Sequence, residues 1–226
     1  MCLVFVYDLG VLFLRRGVHM SFDQKRKFSF IEHVPITWRA GHAFVYLKVL
    51  KHKKIMNFRL KERIMLAITE VNGCVLCSYV HTKLALSGGM SDLEIKSLLA
   101  GELELIPVED SLAVLFAKDY AFNHETLDPI YYQKIIDRYG IDRAKAILSV
   151  SEMITMTNSM GISLGLLKQT LTFKHVKGSR VYNELLIPLI TMFLFPISVI
   201  AGLFVLPLTR RKIKYYKAYH HQKEAR

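Results

Sequence analysis

The chain is short of cysteine, with three in 226 residues, at Cys2, Cys74 and Cys77. A secreted disulfide scaffold needs more, and a Cys-x-x-Cys pair closes too small a loop to hold a fold together. Acidic residues are also scarce: 19 against 31 lysines and arginines, a net charge of +12. Half of that excess lies in residues 210–226, where Arg210, Arg211, Lys212, Lys214, Lys217, Lys223 and Arg226 face only Glu224. No nucleic-acid motif accompanies it, so a basic tail behind an apolar segment points to a membrane surface and not to nucleic acid. Charge is missing altogether over the 24 positions from Leu185 to Leu208. As a helix that run measures roughly 36 Å, enough to cross a bilayer core. No alternating pattern of useful length occurs between residues 58 and 172, which argues against a sheet and for an all-α chain.

What is present is enough for one ordinary domain and a modest appendage. Hydrophobic residues make up 52% and charged residues 22%, which excludes disorder over most of the length. A mean hydropathy of +0.25 is high for a purely soluble protein and directs attention to the apolar run. Residues 1–14 are apolar but broken by Asp8 and Gly10, with Arg15-Arg16 behind them; a secretory signal has the opposite order. Arg15-Arg16-Gly17 just before Met20 reads as a translated ribosome-binding site, making Met20 the expected start; the rival is a short apolar N-terminal helix on a membrane. The expected division is 1–19 as that segment, 20–180 as a helical domain, 184–209 as a membrane segment and 210–226 as a basic tail.

Pro35 is read as a break, with a helix from about Thr37 to Leu50 ending in the solvated run Lys48, Lys51, Lys53 and Lys54. Leu60, Ile64, Ala67, Ile68 and Val71 recur on one face of an amphipathic helix. Asn72-Gly73 interrupts it, and a second helix is expected from Cys74 to the stop at Gly88-Gly89. Ser91-Asp92-Leu93-Glu94 has the form of a capping box opening a short helix. Further helices are expected over 108–123, 129–139 (Asp128 capping, Pro129 first) and 142–171. Met153, Met156 and Met160 then read as core packing. His124 and His175 fall in loops, and His220-His221 in a solvated tail.

The chemistry is concentrated around Cys74 and Cys77, a spacing that serves either a metal or a redox dithiol. On a helix starting at Cys74, Cys77 and His81 share its face with Cys74. A helix N-terminus favours anions and so raises the thiolate fraction of the nearest thiol. His81, one turn from Cys77, can take its proton. Glu62, on the preceding helix with Met65 and Leu66 one turn on, suits a proton-shuttling role.

Glu62-x11-Cys74-x2-Cys77-x3-His81, with Asn72-Gly73 before the first cysteine, resembles the signature of the alkylhydroperoxidase D branch of the carboxymuconolactone decarboxylase-like superfamily. Thr82-Lys83, Gly88-Gly89-Met90-Ser91 and Glu94-Ile95 are similar to the continuation usual there. The resemblance covers about residues 40 to 170. It implies an all-helical, usually homo-oligomeric fold and a thiol peroxidase or disulfide reductase needing no cofactor and no metal. Cys77 would attack the hydroperoxide and become a sulfenic acid. Cys74 would supply a proton and then resolve that acid as a disulfide, with Glu62 and His81 as the proton relay. A dithiol reductant, whether a lipoyl protein, a thioredoxin-like protein or a small thiol, would regenerate the pair. One departure is Leu76, where peroxidase members often carry histidine.

Two rival readings stand beside this one. Zinc would have Cys74, Cys77 and His81 but needs a fourth ligand. A membrane-associated helical protein whose cysteines only sense redox state is the other. For topology, the basic tail and a dithiol fed by a cytoplasmic reductant place both flanks of the apolar segment in the cytoplasm, with a re-entrant bend at Pro196.

Overall fold

A computed structural model describes residues 26–50, 55–174 and 176–224. The readings of residues 1–19, Cys2, Met20, Lys51, Lys53, Lys54, His175 and the tail side chains, His220-His221 included, lie outside the described residues. Those residues form eight helices and no strand: α1 (Phe30–Leu50), α2 (Phe58–Asn72), α3 (Val75–Ser87), α4 (Asp92–Leu99), α5 (Val108–Phe122), α6 (Pro129–Tyr139), α7 (Ile141–Leu171) and α8 (Val181–Glu224). The fold is all-α, as the sequence pattern indicates, with one long apolar helix at its end.

Local signals set most of the boundaries. Asn57 Oδ1 accepts the Leu60 N–H at 2.7 Å to open α2, and Asp128 Oδ1 accepts the Ile130 N–H at 2.8 Å to open α6 ahead of Pro129. Ser91 Oγ accepts the Glu94 N–H at 3.1 Å, as a capping box requires. The Glu94 carboxylate is engaged elsewhere: Arg63 Nε donates to it at 2.6 Å. Arg63 Nη1 also donates to Asp110 Oδ2 at 2.6 Å, so one buried guanidinium ties α2 to α4 and α5.

The start of α1 differs from expectation. Pro35 lies inside the helix, which begins at Phe30. Ser29 Oγ accepts the Glu32 N–H at 3.2 Å and Glu32 Oε2 receives the Ser29 N–H at 3.5 Å, a capping box one turn ahead of the proline. Pro35 removes one backbone hydrogen bond, and the helix persists because His33, Ile36, Thr37 and Ala40 are buried against its neighbours.

The main core joins α2, α5 and α7 through Leu60, Ile64, Ile68, Phe116, Ile147 and Ile154. A second cluster gathers Ile36 and Ala40 of α1, Met156 and Ile162 of α7 and Ile187 of α8 around Cys74 and Cys77. Met153 and Met156 therefore pack about the cysteines.

The expected bend at Pro196 is absent: α8 is one continuous helix through Pro188, Pro196 and Pro207. The cause is its packing along α1, the most extensive helix pairing in the fold. Contacts fall on both sides of Pro196. Thr191 Oγ1 hydrogen-bonds His33 Nε2 at 2.7 Å before it, and Ser198 Oγ donates to Thr37 O at 3.3 Å after it. Gly41 and Gly202 permit the close approach; a Cβ on Gly41 would stand 1.8 Å from Ser198 Oγ, and one on Gly202 3.1 Å from the His42 Cα. His33 also hydrogen-bonds Ser159 of α7 at 2.9 Å. Burial pushes its imidazole down to about 4, outweighing Glu32, so a neutral ring links three helices.

Candidate active site

The site is built on the turn between α2 and α3. Gly73 adopts the left-handed conformation (φ 73°) and donates its N–H to Thr69 O at 2.8 Å, ending α2. Asn72 is buried and clamped from outside its own helix. The Arg26 backbone N–H donates to Asn72 O at 3.2 Å, and Arg26 Nη1 to Asn72 Oδ1 at 3.3 Å. Glu125 takes both arms of that guanidinium at 2.7 and 2.9 Å.

The chain then reverses, and Cys74 becomes the N-cap of α3 instead of its first residue. Its Sγ accepts the Cys77 backbone N–H at 3.3 Å. The two cysteines are joined in a disulfide with Cα atoms 5.3 Å apart. Cys74 is 1% exposed and Cys77 7%, so an incoming reagent has the better access to Cys77. The Cys77 sulfur lies 3.7 Å from Thr157 O on α7, an acceptor for its proton in the reduced state.

Gly161 of α7 makes room for the pair. A Cβ there would stand 2.9 Å from Cys74 Sγ and 3.3 Å from Cys77 Sγ. Glycine inside a helix costs about 1 kcal/mol relative to alanine, and this one is retained where only hydrogen leaves space for two sulfurs. Leu76 packs in the same apolar cluster, so no proton-transferring group occupies that position.

Glu62 and His81 form the second pair. Glu62 is fully buried and its Oε2 lies 2.7 Å from His81 Nδ1, while His81 keeps its side chain 14% exposed. The carboxylate fixes the orientation of the ring, and the ring stands one turn beyond Cys77 on α3. Glu62 Oε1 is buried without a hydrogen bond, with Lys61 Nζ 3.8 Å away. All four expected residues thus fall on two consecutive helices, in two directly bonded pairs. Arg26, Glu125 and Gly161 were not expected. Of these only Gly161 leaves a trace in the sequence, as a glycine inside a long helical pattern. Among the described residues no group of three or more His, Cys, Asp and Glu side chains is gathered as a metal site.

Residues 46–110, which include Glu62, Cys74, Cys77 and His81, match the model of the Carboxymuconolactone decarboxylase family. That match supports the superfamily without separating its branches. No curated protein and no solved structure matches the chain.

Proposed function

We propose that this protein is a thiol-dependent peroxidase or disulfide reductase of the alkylhydroperoxidase D type, with an antioxidant role. The observation that carries the reading is the Cys74–Cys77 disulfide at the start of α3, with His81 one turn along the same helix and bonded to Glu62 of α2. In the peroxide step the Cys77 thiolate takes the distal oxygen of a hydroperoxide; the O–O bond breaks, and a proton from Cys74 or the relay releases the alcohol. The Cys74 sulfur then attacks the Cys77 sulfenic acid and forms the S–S bond; the hydroxyl leaves as water with a proton from the Cys74 thiol or, where Cys74 has already given its own, from the relay. A dithiol reductant returns both thiols and leaves as its own disulfide. The apolar surroundings of Leu76 favour, as a second reading, disulfide reduction without an efficient peroxide step. Like the proteins it resembles, the chain would work as a homo-oligomer.

The test is hydroperoxide consumption by the full-length protein with dihydrolipoamide, a thioredoxin or a small thiol as reductant. Turnover dependent on one of them supports the peroxidase. Disulfide formation without turnover under any reductant would leave a redox sensor, and thiols that survive excess peroxide would sink the proposal.

The membrane enters through α8. Val181–Leu208 is long and apolar enough to cross a bilayer, with an 18-residue window of mean hydropathy 2.5, and Phe193, Ile197, Ile200 and Phe204 are exposed along it. Its other side is taken by α1 and α7. With α8 continuous, tail and dithiol share the cytoplasmic side only if the helix lies in the membrane interface, its outward face in the acyl layer. An impermeant thiol reagent applied to intact cells should then leave Cys77 unlabelled; labelling from outside would make α8 a simple span.

A further inference from the structure

A cavity of about 280 Å³ opens between α1, α7 and α8, away from the cysteines. Along α7 its nearest lining residue, Glu152, precedes Gly161 by nine positions, roughly 14 Å of helix. Its charged wall is Arg39 from α1 with Lys145 and Glu152 from α7, and His42 stands beside them. Arg39 and Glu152 approach only to 3.9 Å, beyond hydrogen-bond range, and Arg39 Nε is buried with no hydrogen bond. Burial raises the Glu152 carboxyl to about 7, with Arg39 and Lys145 pulling the other way. Near neutral pH the Arg39 guanidinium therefore faces a carboxylate that is only partly ionised. The remaining wall is mostly apolar, with Trp38, Leu148, Val205 and Leu206, and adds the Tyr46 and Ser149 side chains.

We propose that this cavity binds the anionic head of a single-chain amphiphile, a fatty-acid-like carboxylate, whose alkyl chain leaves past Val205 and lies along the apolar face of α8. The buried Arg39 Nε, which has no hydrogen bond, supplies a donor to a carboxylate, and the Lys145 ammonium, held over the Tyr46 ring, adds its charge beside it. The volume lies just below the range of roughly 300–1,000 Å³ usual for small-molecule sites. It therefore seats a head and its first few carbons, and the rest of the chain must continue outside. Val205 is 41% exposed, and Leu203, Phe204 and Leu208 extend the apolar surface from that edge. The site is independent of the thiol chemistry and holds whether or not α8 enters a bilayer.

The protein's single tryptophan, Trp38, lines the cavity and reports on it directly. Decanoate added to the full-length protein in a neutral detergent should change Trp38 emission saturably, and decanol should bind at least tenfold more weakly. Lys145→Gln and Arg39→Gln should each weaken decanoate about tenfold, the usual scale for losing a charge-assisted hydrogen bond. Glu152→Gln should tighten it, since the competing carboxylate is gone. Decanol matching decanoate in the unaltered protein would overturn the proposal with no variant needed. So would a native-like Lys145→Gln protein that binds decanoate unchanged. A response to phosphatidylglycerol vesicles with none to decanoate would also overturn it, assigning the cations to a bilayer headgroup.

Discussion

Cys77→Ser is expected to abolish reductant-dependent turnover, while Cys74→Ser should leave a protein that reacts once and accumulates a trappable sulfenic acid on Cys77. The geometry makes the two variants unequal in chemistry but comparable in folding. Serine is among the best N-cap residues, so at position 74 its oxygen can take over the Cys77 N–H that the sulfur now accepts. At position 77 a hydroxyl replaces a buried sulfur and retains the Thr157 carbonyl as a partner, holding the cost to about 1–3 kcal/mol or less. Mass spectrometry after a sulfenic-acid probe reads the outcome. The capping position of Cys74 gives it the stronger claim to helix-terminus stabilisation, whereas Cys77 has the greater exposure. A sulfenic acid trapped on Cys74 in the Cys77→Ser protein would reverse the assignment and make the cap the nucleophile.

The second large effect belongs to the relay. Glu62→Gln and His81→Ala should each lower the rate roughly 10²-fold or more, the usual scale for a general acid–base group, and shift thiol alkylation to higher pH. The two share a 2.7 Å contact, so the double variant should lose little beyond either single one. Because Glu62 is fully buried, circular dichroism must accompany the rates to separate lost proton transfer from lost packing. Unchanged rates and alkylation profiles in both variants would leave the helix terminus as the sole source of thiol activation.

What could be read along the chain was what neighbouring residues decide. The Asn72-Gly73 stop, the Ser91 cap and the Asp128-Pro129 start each lie within a few positions of the group they satisfy, and those boundaries were legible. The placing of Glu62 on α2 and of Cys77 and His81 on α3, with Cys74 at its start, was legible too, since a helix period and a fixed spacing set it. Pro35 is a breaker by local signals alone, but the Ser29–Glu32 box ahead of it and the burial of its neighbours carry α1 through. Pro196 is the same case on a larger scale: Gly41 and Ser198 keep α8 docked along α1 from far apart in sequence, and no local window contains both. The Arg26–Glu125 clamp on Asn72 is likewise a meeting of three distant segments. Arg39, Lys145, Glu152 and Gly202 look like ordinary surface and helix residues until three helices bring them to one cavity.

The packing of α8 has a consequence for biogenesis. Ile187 and Phe195 belong to the apolar cluster around the disulfide, yet they are translated long after Cys74 and Cys77. α2 to α7 can gather their own core while the side of the cysteine cluster owed to α8 is still uncovered. During synthesis the thiols are therefore less shielded than in the finished protein, and their oxidation in the nascent chain competes with the arrival of α8. Docking of α8 along α1 closes contacts of very high sequence separation, the kind that form late and slowly. The docking of α8 and the covering of the Cys74–Cys77 pair are thus the same folding event.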